Sequence, residues 1–97
     1  MSVSISTHVL DTATGEPAAE VRVELRRGES AVATAETDRD GRVRELAADL
    51  EPGRYALVFW PPSPFFGRVE LEVELTEGHY HVPLLVSPFG CASYRGS

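Results

Sequence analysis

The sequence predicts an all-β protein, an antiparallel β-sandwich, on the basis of two observations. Apolar and polar residues alternate along several segments, most clearly over residues 69–75, where Val and Leu alternate with Glu. Successive side chains of a strand point to opposite faces, so this alternation indicates strands with one buried face. Clusters of Gly, Pro and Asp separate these segments, and no long stretch keeps apolar residues at helical spacing. Short strands divided by turns are typical of a sandwich.

Turn residues set the order of the elements. The Asp-Arg-Asp-Gly sequence of residues 38–41 suits a turn because Gly accepts a positive φ, and residues 51–53 form another turn signal. The prolines within residues 61–64 end the strand before them because proline has no N–H for a ladder. Residues 45–50 are the best helix candidate, but they are few. The predicted strands cover residues 3–12, 20–27, 31–37, 42–46, 54–60, 68–75, 79–87 and 91–95.

Length and composition indicate one globular domain over residues 1–97. The chain is 42% hydrophobic and 25% charged, which is ordinary for a soluble protein, and no apolar run approaches the roughly 20 residues that span a bilayer. Residues 1–5 do not resemble the start of a signal peptide. Cys91 is the only cysteine, which excludes an intrachain disulfide and favours a reducing compartment, so we expect a cytoplasmic protein.

The charge of the chain excludes two further classes. A net charge of -6 argues against general nucleic-acid binding, which relies on basic surface. All nine basic side chains are Arg, so a Schiff-base lysine mechanism is excluded. Arginines gathered in one pocket would still hold an anion.

Histidines are the first candidates for chemistry. His79 and His81 share one face of a strand, where they could chelate a metal with His8 as the third ligand. No further Cys or His cluster supports that site, so no metal is predicted. Taken alone, His8 is more simply interpreted as a solvent-facing residue of a sheet. Arg42, which follows the turn over residues 38–41, is more simply interpreted as a surface residue. Residues 38–41 resemble half of a calcium loop that lacks its final Glu. Cys91 is interpreted as a small packing residue.

Six motifs, in their order along nearly the whole chain, resemble the 5-hydroxyisourate hydrolases of the transthyretin-like family. The His-Tyr-His-Val-Pro-Leu-Leu block and the Tyr-Arg-Gly-Ser ending are the most specific of them. Hormone-carrying transthyretins share the fold but lack these residues. The motifs are Ser6-Thr7-His8-Val9-Leu10-Asp11, Gly15-Glu16-Pro17-Ala18, Thr37-Asp38-Arg39-Asp40-Gly41-Arg42, Tyr55-Ala56-Leu57-Val58-Phe59, His79-Tyr80-His81-Val82-Pro83-Leu84-Leu85 and Tyr94-Arg95-Gly96-Ser97.

The resemblance implies a prealbumin-like sandwich of two four-stranded sheets, with the first, fourth, seventh and eighth strands in one sheet. It implies a homotetramer, a dimer of dimers with active sites where the dimers meet. The implied reaction needs no metal or organic cofactor. Water attacks the C6 carbonyl of the small-molecule substrate 5-hydroxyisourate and breaks its N1–C6 amide bond. The product is 2-oxo-4-hydroxy-4-carboxy-5-ureidoimidazoline, in the degradation of urate to allantoin.

Roles for individual residues also follow from the resemblance. His8 and His81 are expected to position and deprotonate the water, because neutral imidazole is a suitable base at pH 7. Arg42 is expected to bind the substrate and stabilise developing negative charge.

The terminal residues complete the implied site. Tyr94 and Arg95 are expected to contact the substrate, and the Ser97 hydroxyl to join the water network rather than act as a nucleophile. His79 is expected at the rim.

Two segments depart from the family pattern. Residues 60–68 are short and rich in proline, so the usual short helix is expected to be shortened or absent, with Phe65 and Phe66 filling the sandwich edge instead. Residues 91–93 read Cys-Ala-Ser, which removes an aromatic ring from the last strand. The alternative function is a non-enzymatic prealbumin-like binding or structural module, and a small-ligand carrier is a second rival. His81 and the tail favour the enzyme over both.

Overall fold

A computed structural model describes residues 2–96, which form nine strands and contain no helix. It therefore has no helix long and apolar enough to cross a membrane within that range. The strands are β1 (Val3–Asp11), β2 (Glu16–Pro17), β3 (Arg22–Arg27), β4 (Ser30–Glu36), β5 (Arg42–Leu50), β6 (Gly53–Trp60), β7 (Val69–Leu75), β8 (Gly78–Val86) and β9 (Cys91–Ser93).

The strands form two sheets, and the predicted grouping is confirmed. The first sheet contains β1, β5, β8 and β9, which are the first, fourth, seventh and eighth predicted strands. The added two-residue strand β2 pairs with the end of β1 that β5 does not reach, so this sheet stays four strands wide. The second sheet has the order β4-β3-β6-β7.

One pair departs from the predicted antiparallel arrangement. Strands β1 and β8 run parallel, in register from Val3 opposite Gly78 to Asp11 opposite Val86. A hairpin forces antiparallel pairing, but β8 follows β7, which belongs to the other sheet. The chain therefore enters the first sheet at β8 by crossing between sheets, so the all-β sandwich is confirmed with one parallel pair at its centre.

The helix candidate over residues 45–50 is part of strand β5, which extends to Leu50 instead of ending at residue 46. Register shifts interrupt its pairing with β1, and Asp49 has a φ of 55°. The alternation is therefore irregular in this segment, which hid the strand in the sequence.

The core lies between the two sheets, and the period-2 pattern explains it. In β1, Val3, Ile5 and Val9 are fully buried, and in β8, Leu84 is fully buried and Val86 nearly so. Their neighbours in sequence point to the outer face of the first sheet. That outer face therefore carries most of the polar residues of both strands, while Thr7 is buried and donates its hydroxyl to the Val82 carbonyl at 2.6 Å.

The segment after β6 has no helix, as expected. The Ser63 hydroxyl accepts the backbone N–H groups of Phe65 and Phe66 at 3.1 and 2.9 Å and donates to the Pro88 carbonyl at 3.0 Å. Phe66 is half-buried and packs against the core, but Phe65 is 66% exposed. The expected filling of the sandwich edge is therefore confirmed for Phe66 and wrong for Phe65.

Candidate active site

Three neighbouring strands bring the predicted residues of the site together. On β1, Ser6 lies opposite His81 of β8, and His8 lies opposite Arg42 of β5. These residues come from distant parts of the sequence, and the pairing of β1 with both neighbours places them side by side. His8, Arg42 and His81 are all partly exposed, which agrees with their position on the outer face.

The turn before β5 holds Arg42. The Asp38 carboxylate accepts the backbone N–H groups of Asp40 and Arg42, both at 2.9 Å. The bond from Arg42 is the main cause that lowers the pKa of Asp38. Gly41 follows with a φ of 74°, and a Cβ there would lie 2.5 Å from the carbonyl oxygen of Val9. Only glycine fits this position, so the turn fixes the start of β5 against β1.

A pocket of about 210 Å³ opens between these strands. Its lining includes two guanidinium groups, one of which, Arg44, was not predicted from the sequence. Arg44 is two residues beyond Arg42, so the two can share a face, and period 2 was the signal that could have found it. His8 lies beside this pocket rather than in its lining. The lining residues are Ser6, Thr7, Arg42, Arg44 and His81.

His81 is placed to act as a neutral base. Burial lowers the pKa of its imidazole, and the positive charge of Arg42, followed by His8 and His79, lowers it further. Each of these causes disfavours the protonated ring. At neutral pH the ring therefore keeps a lone pair that can accept a proton from water.

A chain of hydrogen bonds connects His81 to the protein surface. Its Nδ1 lies 2.8 Å from the Ser6 hydroxyl, which is also 2.9 Å from Nε2 of His79. Nδ1 of His79 lies 2.7 Å from the Ser4 hydroxyl. His79, predicted as a rim residue, is exposed but is bonded into the surroundings of His81. Ser4 and Ser6 were missed because only the register of β1 against β8 pairs them with the histidines.

The tail returns to the site through Gly96. Its N–H donates to the His81 carbonyl at 2.6 Å, and a Cβ on it would lie 2.8 Å from Cδ2 of His81. Strand β9 ends at Ser93, two residues earlier than predicted. The predicted Ser97 lies outside the described residues, so its role stays a prediction.

Tyr94 and Arg95 do not line the pocket that contains His81. They line a separate cleft of about 330 Å³, together with residues of β7 and β8. The guanidinium of Arg95 stacks 4.2 Å from the ring centroid of Tyr80, whose side chain points away from the face of His81. Their contact with substrate stays a prediction.

Two further interpretations from the sequence concern Cys91 and a possible metal site. Cys91 is exposed on β9, so its interpretation as a small packing residue is wrong. Among residues 2–96, no group of three His, Cys, Asp or Glu side chains is placed to hold a metal ion.

Known proteins share this sandwich and much of this sequence. A 5-hydroxyisourate hydrolase of Caulobacter vibrioides is 44% identical, over 96% of this chain and 97% of that protein. The uric acid degradation bifunctional protein TTL of Arabidopsis thaliana is 40% identical over 96% of this chain, which spans only 37% of it. The solved structure of Klebsiella pneumoniae 5-hydroxyisourate hydrolase has a TM-score of 0.90 and 35% identity, covering 98% of this chain and 99% of that one.

The class defined by fold and site is a transthyretin-like sandwich that carries histidines and arginines on the outer face of one sheet. The family model described as the HIUase/Transthyretin family matches residues 5–96. The chain belongs to that family.

Proposed function

We propose that this chain is a 5-hydroxyisourate hydrolase, a cyclic amide hydrolase that acts in urate degradation. The observation that supports this most strongly is the pocket itself, which is lined by His81, whose pKa is lowered, and by the two arginines Arg42 and Arg44. The 44% identity to the Caulobacter vibrioides hydrolase over nearly the full length of both chains supports the same substrate.

In the proposed mechanism, His81 takes a proton from water, and the resulting hydroxide attacks the C6 carbonyl. The electrons of the carbonyl move to oxygen, where Arg42 and Arg44 stabilise the oxyanion as it forms. Collapse of this intermediate breaks the N1–C6 bond, and the proton held by His81 passes to N1. His8, beside Arg42, orients the water.

The pKa of His81 supports its assignment as the base. A histidine with an unperturbed pKa near 6.5 is already mostly neutral at pH 7, and the lowered pKa of His81 makes the neutral fraction larger. The same positive groups that lower this pKa also favour a negative transition state. The same positive charges therefore keep the base neutral and stabilise the oxyanion.

The function is tested by following the decay of freshly made 5-hydroxyisourate spectroscopically. Wild type should speed the decay, and His81→Ala should lower kcat by roughly 100-fold or more, within the usual contribution of a general base. Arg42→Ala should lower kcat/KM by a similar factor, whereas Arg54→Ala, an exposed arginine on the other sheet, should not. Binding of substrate without turnover by wild type would favour a carrier instead and contradict the hydrolase.

The assembly proposed for this enzyme is a homotetramer, a dimer of dimers, in the cytoplasm. The pocket lies on the outer face of one sheet, where His8, Arg42 and His81 are partly exposed. A second copy covering this face would exclude water and strengthen the electrostatic interactions within the site. The single, unpaired cysteine supports a reducing compartment.

A further inference from the structure

The mechanism above leaves a group of side chains unused. Ser4, Ser6 and His79 are joined to His81 by three hydrogen bonds of 2.7 to 2.9 Å. Ser6 lies between the two histidines and is only 5% exposed, while His79, which connects Ser6 to Ser4, is exposed. Because both histidines bond the same hydroxyl, the ring nitrogen that carries the proton in one depends on the ring nitrogen that carries it in the other.

We propose that Ser6 and His79 are positioning residues for His81, which hold its neutral ring with the proton on Nδ1 and leave the lone pair on Nε2 for water. This inference rests on the proposed function, because it concerns how the base of that reaction is prepared.

The proton arrangement follows from the one hydrogen of a serine hydroxyl. A neutral imidazole has one N–H and one lone pair, and the partner of one nitrogen decides the state of the other. If Nδ1 of His81 donates to Ser6, the Ser6 proton must go to Nε2 of His79. Nδ1 of His79 then donates to Ser4. Every bond has one donor and one acceptor, and His81 keeps its lone pair on Nε2.

The opposite arrangement would disable the base. Ser4 would donate to His79, His79 to Ser6, and Ser6 to Nδ1 of His81, which would leave the remaining proton on Nε2. The charges around the ring oppose this. Arg42 lines the same pocket as His81 and its positive charge acts on the ring, which favours a lone pair over an N–H on the nitrogen that faces the pocket.

At the outer end of the hydrogen-bonded chain, neither arrangement of protons has a large energetic cost. Ser4 is half-exposed and His79 is exposed, so water can satisfy them with either arrangement of protons. The choice is therefore made at the inner end, by the buried Ser6 hydroxyl together with the charge of Arg42. His79 completes the chain by accepting the Ser6 proton, which an apolar residue in its place would leave without an acceptor.

The test measures the tautomer of His81 directly by ¹⁵N NMR of the imidazole nitrogens at a pH where the ring is neutral, without substrate. In wild type the Nδ1 signal should be that of an N–H and the Nε2 signal that of a lone-pair nitrogen. Ser6→Ala should give a mixture of tautomers and lower kcat roughly 10- to 100-fold with little change in KM. Ser6→Thr, which keeps the hydroxyl, should retain the wild-type tautomer and rate.

His79 is tested by a second pair of variants. His79→Ala should shift His81 toward the mixture, while His79→Gln, whose amide oxygen can accept the Ser6 proton, should preserve the tautomer. A wild-type ring protonated on Nε2, or a Ser6→Ala ring with an unchanged tautomer, overturns the proposal. If Ser6→Ala does not fold, the wild-type spectrum and the His79 pair decide.

The same set of measurements separates this inference from the proposed function. Absence of hydrolysis by wild type would contradict the function, whereas the NMR result would still show whether Ser6 and His79 set the tautomer. Full activity together with a tautomer that ignores both residues would contradict this inference alone.

Discussion

At the residue scale, the chemistry of the site depends on keeping one imidazole uncharged. His81 is partly buried beside Arg42 and His8, and burial is the larger cause of its lowered pKa. The unfolded chain, where these causes vanish, binds the proton at about pH 6.5. Between that pH and the lower pKa of the folded state, the unfolded chain carries more protons. The free energy of unfolding therefore decreases as the pH drops through this window.

A variant of His81 tests this sign. His81→Gln removes the titrating group, so its free energy of unfolding should fall less than that of wild type between pH 7 and pH 5. Urea denaturation at both pH values measures the difference. If the two proteins lose equal free energy over this range, the lowered pKa of His81 is contradicted.

Some residues of the pocket were predictable from the sequence, but the hydrogen bonds between them were not. His8, Arg42 and His81 were predicted because motifs resembling a known family contain them, and the structure places them on adjacent strands. Ser6 and His79 stand in the same motifs, but nothing in the sequence indicates that their side chains bond to each other. Their hydrogen bond links positions 73 residues apart, and only the register of β1 against β8 creates it.

At the element scale, the turn before β5 fixes the backbone of Arg42, which lines the pocket. Two backbone N–H groups, those of Asp40 and Arg42, converge on the Asp38 carboxylate, and Gly41 closes the turn. Asp38→Ala removes the shared acceptor, so the first residue of β5 should lose its fixed position. Misplacing a substrate-binding group by about 1 Å can lower the rate by roughly 100-fold.

The expected result for Asp38→Ala is a decrease in kcat/KM of roughly 10-fold, measured on fresh substrate. Asp38→Asn is the matched control, because its amide oxygen can accept the same two N–H groups and should preserve most of the activity. Equal losses in both variants would show that the carboxylate charge, rather than the hydrogen bonds, is what matters.

Strands were predictable wherever the alternation was clean. Residues 69–75 alternate strictly and form β7 with the predicted end. Residues 45–50 hide a strand because register shifts break the period. The parallel pairing of β1 and β8 could not be predicted from the alternation of apolar and polar residues, because a strand buries the same side chains in either direction.

At the scale of the whole molecule, the pocket lies on the outer face of one sheet, the face that the proposed tetramer would cover. The chain buries its core between two sheets and presents the polar residues of the site on the outer face of the first. On that face, Leu85 is half-exposed while its neighbours Leu84 and Val86 are buried. Leu85 lines a cleft separate from the pocket of His81, and a half-exposed leucine on this face fits a surface that a second copy covers.

The assembly prediction therefore concerns Leu85, which lies outside the lining of the pocket that contains His81. Leu85→Arg would place a charge in the proposed dimer–dimer interface, where burying it without a partner is costly. The variant should lose the tetramer in light scattering after size exclusion and lose at least 10-fold in kcat/KM, while its circular dichroism stays that of wild type. Val32→Arg, at a 41% exposed valine on the other sheet, should change neither property. A Leu85→Arg chain that is fully active after dissociation would show that the pocket works without a covering copy, and the proposed location of the sites between dimers would be wrong.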